Sequence, residues 1–309
     1  MKGNKDGIVI IVAIVIIMGL GWDNFKGSYS GSGGGSFFGT SSINNSPQNY
    51  EEEKEASTAI EQIQNAEKTV EEIEKKVGEL NRSPYYGKFY LYSPAGLGDP
   101  DPSKEYFTLN NNLQKNEYVD ITGWYFKSTV TNNTAVIGKA STLPFPYIKG
   151  TENIVVKQGE SIYIIKGFSP INTSFRTNKC TGYFAQDRTF YPYIGRQCPS
   201  ADDVDLPTFS SDMDENDRCL DYIDRLQVCT EPRNLNKIEP PLPSGCRIYL
   251  ETKINYNSCV ANYKYDSDFA GREWYIYLER FGPLWRNKRE TIQLRDREGL
   301  LISEVKINY

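Results

Sequence analysis

All six cysteines of this 309-residue chain fall between Cys180 and Cys259, in the one stretch that breaks an otherwise strand-like pattern. In a segment outside the cytoplasm, an even number of cysteines reads as a disulfide framework, with fifteen possible connectivities for six. Local pattern narrows the pairing. "DRCLDYIDRLQVC" and "SGCRIYLETKINYNSC" each read as a short helical stretch, joined by the proline-rich connection "EPRNLNKIEPPLPSG". If the two lie antiparallel, Cys229 and Cys246 flank the connection, and Cys219 and Cys259 meet at the open end. On one helix Cys219 and Cys229 would stand ~15 Å apart, too far for a disulfide, which needs Cα atoms within about 7 Å. The expected pairs are Cys229–Cys246 and Cys219–Cys259, with Cys180–Cys198 closing the preceding loop. Zinc is the weaker reading, because structural sites prefer tight spacings and the chain has no histidine.

The missing histidine also excludes His-based triads and imidazole general bases. No Gly-rich phosphate loop and no G-x-S-x-G elbow is present. The chain therefore offers no catalytic, metal or cofactor residue, and no cofactor is expected. Catalysis by carboxylates or by an activated serine or lysine stays open, and the enzyme alternative is a carboxylate-dependent extracellular hydrolase, which would need two close carboxylates in a cleft. A net charge of -5 gives no reason to expect a polyanion partner, and 22 tyrosines suit pleated, half-buried surfaces.

"MKGNKDGIVIIVAIVIIMGLGW" places Lys2 and Lys5 before an apolar run from Gly7 to Trp22. The run is slightly shorter than the ~20 residues of a usual spanning helix. It is Ile/Val-rich and lacks a clear A-x-A cleavage site, so 7–22 reads as an uncleaved transmembrane anchor, with a secretory signal as the alternative. The flanking lysines keep residues 1–6 cytoplasmic and put the rest outside, giving a single-pass protein of the cell membrane. Residues 23–49 include the flexible Gly/Ser tether "GSYSGSGGGSFFGTSS". Residues 50–82 read as a helix with a heptad seam of two interleaved series: Ala59, Ala66, Ile73, Leu80 and Ala56, Ile63, Val70, Val77. Self-association through this coiled-coil stalk stands against a single helical stalk. Pro84 ends the helix.

Residues 85–309 read as the folded domain. Short strand runs recur between turn signals: "GKFYLYS", "YFTL", "EYVDITGWYF", "ENIVVKQ", "SIYIIKG", "EWYIYLER", "TIQLRD" and "LLISEVKI". "DREG" joins the last two as a hairpin. In "EYVDITGWYF", Val119 and Ile121 share one face while Trp124 and Phe126 fall on the other. A bulge at Gly123 restores the phase and turns all four inward.

Two charged runs invite site hypotheses. Asp212, Asp214, Glu215 and Asp217 begin like a calcium loop, but Asp217 and Ile223 occupy the positions that want Gly and Glu, so capping by Asp214, Glu215 or Asp217 at a helix start is the better reading. "ERFGPLWRNKRE" gathers Arg280 with Trp285, Arg286, Lys288 and Arg289, the last four forming a candidate partner-binding surface; a nucleic-acid-capturing patch is the disfavoured alternative.

"EYVDITGWYF", "IVVKQGESIYIIKG" with its Gly159 turn, and "ETIQLRDREGLLISEVKI" occur in an order that resembles a lamin-tail domain of the membrane-anchored bacterial type. The closing pattern consists of Ile292 and Leu294, then Asp296 and Gly299, then Val305. The resemblance implies a mainly β, immunoglobulin-like sandwich, here carrying a cysteine-rich helical insertion at about 168–270 and preceded by the anchor and stalk. It supplies no catalytic residues. The function it implies is an extracytoplasmic binding or structural module, presented to a surface protein or a cell-wall ligand.

Overall fold

The computed structural model describes residues 48–144 and 150–308. The expected cytoplasmic residues 1–6, the anchor at 7–22 and nearly all of the linker lie outside the described residues. Among the described residues no helix is long and apolar enough to cross a membrane. The chain divides into two units, Met1–Glu67 and Lys68–Tyr309, and helix α1 (Gln48–Leu80) runs through the division. On α1 the seam residues Ile63, Val70, Ile73 and Leu80 are all exposed.

In the second unit, eleven described strands form three sheets. The five-stranded sheet contains β1 (Phe89–Leu91), β2 (Tyr106–Asn111), β7 (Ser161–Ile165), β9 (Ala270–Tyr277) and β8 (Phe175–Asn178), in that order. The four-stranded sheet orders β11 (Leu301–Ile307), β10 (Glu290–Arg295), β4 (Tyr125–Ser128) and β5 (Thr134–Val136). A two-stranded sheet pairs β3 (Tyr118–Asp120) with β6 (Val155–Lys157). One continuous core draws side chains from all three sheets, among them Phe107, Ile164 and Ile276 from the first and Phe126, Ile292 and Ile302 from the second. The expected mainly β class becomes a mixed one. Three further helices, α2 (Met213–Asp224), α3 (Ser244–Lys253) and α4 (Tyr256–Tyr263), lie between β8 and β9, and β7 pairs with β9 in parallel.

The strand runs read from sequence all contain strands, with ends that differ by a few residues from the runs. Two were missed. β5 has one buried residue, Ala135, between exposed neighbours, and β8 lies inside the segment read as an insertion. In "EYVDITGWYF" the four apolar residues are all buried, as expected. The device is a change of sheet: β3 pairs with β6, whereas β4 pairs with β10 and β5. Gly123, at φ +85°, makes the step and donates its N–H to the Ile137 carbonyl at 2.8 Å. Arg297 clamps the same turn from the final hairpin, donating to the Thr122 carbonyl and pairing with Asp120, each at 2.6 Å. In that hairpin Asp296 Oδ1 accepts from the N–H groups of Glu298 and Leu300, and Gly299 takes φ +89°.

Candidate binding surface

The segment between the parallel strands β7 and β9 covers the second face of the five-stranded sheet. On that face Tyr163, Tyr275 and Phe175 form a cross-strand aromatic ladder, with the Phe175 and Tyr275 rings stacked 5.2 Å apart. Phe184, Phe190, Ile194, Tyr256 and Val260 close over it as a second core. A third cluster, formed by Phe209, Ile223, Leu235, Leu242 and Leu250 around Cys219 and Cys246, belongs to the helices themselves.

All six cysteines are bonded, but not in the expected pairs. The bridges are Cys180–Cys259, Cys198–Cys229 and Cys219–Cys246, with Cα separations of 5.9, 5.2 and 5.9 Å. The expected Cys229–Cys246, Cys219–Cys259 and Cys180–Cys198 pairs fail because neither helical stretch is one helix. α2 ends at Asp224, and Cys229 sits beyond it in the left-handed region at φ +58°. α3 ends at Lys253, and Asn255 caps a new helix by accepting from the Ser258 N–H at 2.9 Å. That break carries Cys259 to the sheet, where it meets Cys180. The Cys198–Cys229 bridge lies so close to Gly182 that a Cβ there would stand 2.3 Å from the Cys229 sulfur.

The acidic run resolves as a helix start. Asp212 is the cap, accepting from the Glu215 N–H at 2.9 Å, while Glu215 accepts from the Ser210 hydroxyl. The cap thus falls two residues before the earliest of those expected.

Beside the Cys180–Cys259 bridge, a cleft of about 620 Å³ opens where β8 parts from β9. Its parting is a local irregularity at Thr177, whose hydroxyl donates to the Glu273 carbonyl and accepts from the Glu273 N–H in place of a backbone pair. Asn178, Lys179, Gln197, Asp268 and Arg272 line it. Lys179 bridges Asp268 and Asp266 at 2.6 and 2.9 Å. Those hydrogen bonds raise the lysine's pKa and, at Asp268, hold the carboxyl below its usual range. Glu273 is shifted the other way: burial raises its pKa, opposed by the hydrogen bond from the Tyr163 hydroxyl. The cleft is therefore a polar, ion-paired recess with its hydrogen-bonding groups held in place.

The candidate surface at Trp285, Arg286, Lys288 and Arg289 splits in two. Trp285 is 4 % exposed and belongs to the core, edge-on to Phe107 with centroids 5.0 Å apart. Its indole N–H donates to Glu105, whose other oxygen accepts from Lys166 at 2.8 Å. Glu160 repeats the arrangement, accepting from the Trp274 indole at 2.9 Å and pairing with Arg176. Both buried carboxylates thus tie a tryptophan to a cation. Arg286, Lys288 and Arg289 do face solvent. The aromatic at the surface is one the sequence did not single out: Phe281, 82 % exposed, with its ring 4.2 Å from that of Phe168.

No protein-family model, curated protein or solved structure matches this chain.

Proposed function

We propose that the chain is a membrane-tethered, extracytoplasmic binding or structural module. An N-terminal anchor and the α1 stalk hold a lamin-tail-like sandwich, and the disulfide-bonded layer is presented to a surface protein or cell-wall ligand. The observation that carries this reading is the complete pairing of six cysteines within one layer, which is the economy of an oxidising compartment. The polar cleft beside Cys180–Cys259 supports it further, since loops fixed on a rigid sheet commonly carry recognition. A non-reducing disulfide map of protein recovered from its native membrane tests it. The expected result is three bridges, 180–259, 198–229 and 219–246; free thiols at these positions would remove the extracytoplasmic reading.

The stalk is the self-association element of this proposal. The seam, exposed at Ile63, Val70, Ile73 and Leu80, has the period of a two-helix contact, with β-branched Ile63, Val70 and Val77 in one series, as two-stranded coils prefer. With every native cysteine bonded, Val70→Cys introduces the one free thiol among the described residues. Mild oxidation is expected to link most Val70→Cys chains into dimers and to leave Glu71→Cys, off the seam, monomeric. Equal, low cross-linking of both variants would mean a single helical stalk.

A further inference from the structure

We infer that the tip formed by Phe168, Phe281 and the basic loop after it is a contact site for an anionic phospholipid surface, at the end of the sheets away from Asn81 and Ser83. Strand register fixes its place. In the β10–β11 pair, Arg295 faces Leu301 at one end and Glu290 faces Ile307 at the other. The stalk joins at the Leu301 end, where Ser83 N–H donates to the Leu301 carbonyl and Leu301 N–H to the Asn81 carbonyl, both at 2.8 Å. The loop after β9 lies at the Glu290 end, where its Leu284 carbonyl accepts from Thr131 and its Arg286 N–H donates to Glu290; β7 runs parallel to β9, so the loop bearing Phe168 leaves at the same end. Six residues of β10 separate the two ends, a span of about 20 Å.

The two loops are fastened to each other and to a third. Glu279 N–H donates to the Gly167 carbonyl at 3.1 Å and Arg280 N–H to the Lys166 carbonyl at 2.9 Å. Thr131 and Asn133 side chains donate to the Leu284 and Pro283 carbonyls. An 82 % exposed phenylalanine is thus held out by a braced loop. The two rings turn towards one another with 33° between their planes, which makes an apolar ridge rather than an open slot for a base.

Charge supplies the complement. Arg280, Arg286, Lys288 and Arg289 are exposed, and among the described residues none of them forms an ion pair. Glu279 is the one exposed acid in the loop, so the patch is cationic on a chain of net charge -5. A protruding apolar ridge ringed by unpaired cations matches an anionic bilayer, which accepts rings below its headgroups and cations among them.

The test attaches the full chain to a sensor surface by its N-terminus, because the C-terminal strand ends beside the tip. Phosphatidylcholine vesicles, with or without phosphatidylglycerol, are passed over it, and a single-stranded oligonucleotide is run in parallel. The expected result is salt-sensitive capture of the anionic vesicles. Phe281→Ser should weaken it about tenfold, and each of Arg286→Ala, Lys288→Ala and Arg289→Ala about fivefold. These positions are exposed, so thermal midpoints should match the parent chain. Capture of both vesicle types with no effect of Phe281→Ser overturns the inference. So does no vesicle capture, or oligonucleotide capture in its place. The outcome is independent of the disulfide map, so either proposal can fail alone.

Discussion

Replacing Trp285 by alanine lowers the unfolding free energy by about 3–5 kcal/mol, the range for large aromatic deletions in a core. The indole packs edge-on against Phe107 and tilted against Phe126, and its N–H is one of the two side-chain donors to buried Glu105. Removing it opens a cavity and leaves a carboxylate that is 1 % exposed with Lys166 as its remaining side-chain partner. Against a typical net stability of about 5–15 kcal/mol, this is a large fraction. Urea unfolding followed by tryptophan fluorescence and near-ultraviolet dichroism measures it. Arg286→Ala and Lys288→Ala in the same loop should stay within about 0.5 kcal/mol of the parent. If Trp285→Ala proved as mild as they are, the indole would not be part of the core. A partner-binding screen that used Trp285→Ala would therefore record unfolding as lost binding.

The second large effect belongs to Cys180–Cys259. This bridge closes a loop of 79 residues, and chain-entropy reasoning gives it about 4–5 kcal/mol. It also fastens the start of the covering layer to α4 over the aromatic ladder. The double substitution Cys180→Ser/Cys259→Ser should lower the thermal midpoint more than Cys219→Ser/Cys246→Ser, whose loop is 27 residues long. Limited proteolysis should separate the two. The first variant exposes sites throughout the layer, and the second only around α2 and α3. Equal losses of midpoint and identical cleavage patterns would show that the layer unfolds as one block, with no distinct cores.

What the sequence disclosed follows from the range of the physics involved. Period-two runs and the Asp296–Gly299 turn are local, so the strands other than β5 and β8 and the last hairpin were legible. The burial of Val119, Ile121, Trp124 and Phe126 was legible too, because a glycine between two phases needs a special backbone wherever it lies. The partners of the cysteines were not. They depended on two interruptions, beyond Asp224 and at Asn255, each signalled by a weak cue. "INYNSC" does carry a cap in Asn255, three residues before Ser258, the local signal of a new helix start. Trp285 was misplaced for a different reason. A run with four cations, Gly282 and Pro283 looks like a solvated loop throughout, and only the buried Glu105, far away in sequence, shows why one member turns inward. Phe281 gave no signal, since a single phenylalanine beside Gly-Pro has no periodicity to read. The parallel β7–β9 pair was equally hidden, because each strand carries the same pattern whichever way its neighbour runs.

That parallel pair has a consequence for how the chain comes to be folded. β7 is made early, but its central neighbour β9 follows only after residues 166–269 have been synthesised. Until then one edge of β7 has unpaired backbone groups, a template for joining another chain. Contacts between such distant segments also form slowly. A nascent chain of this kind needs its open edge shielded while thiols are being oxidised, so its yield should be limited by folding helpers and oxidant rather than by the final stability of the sheets.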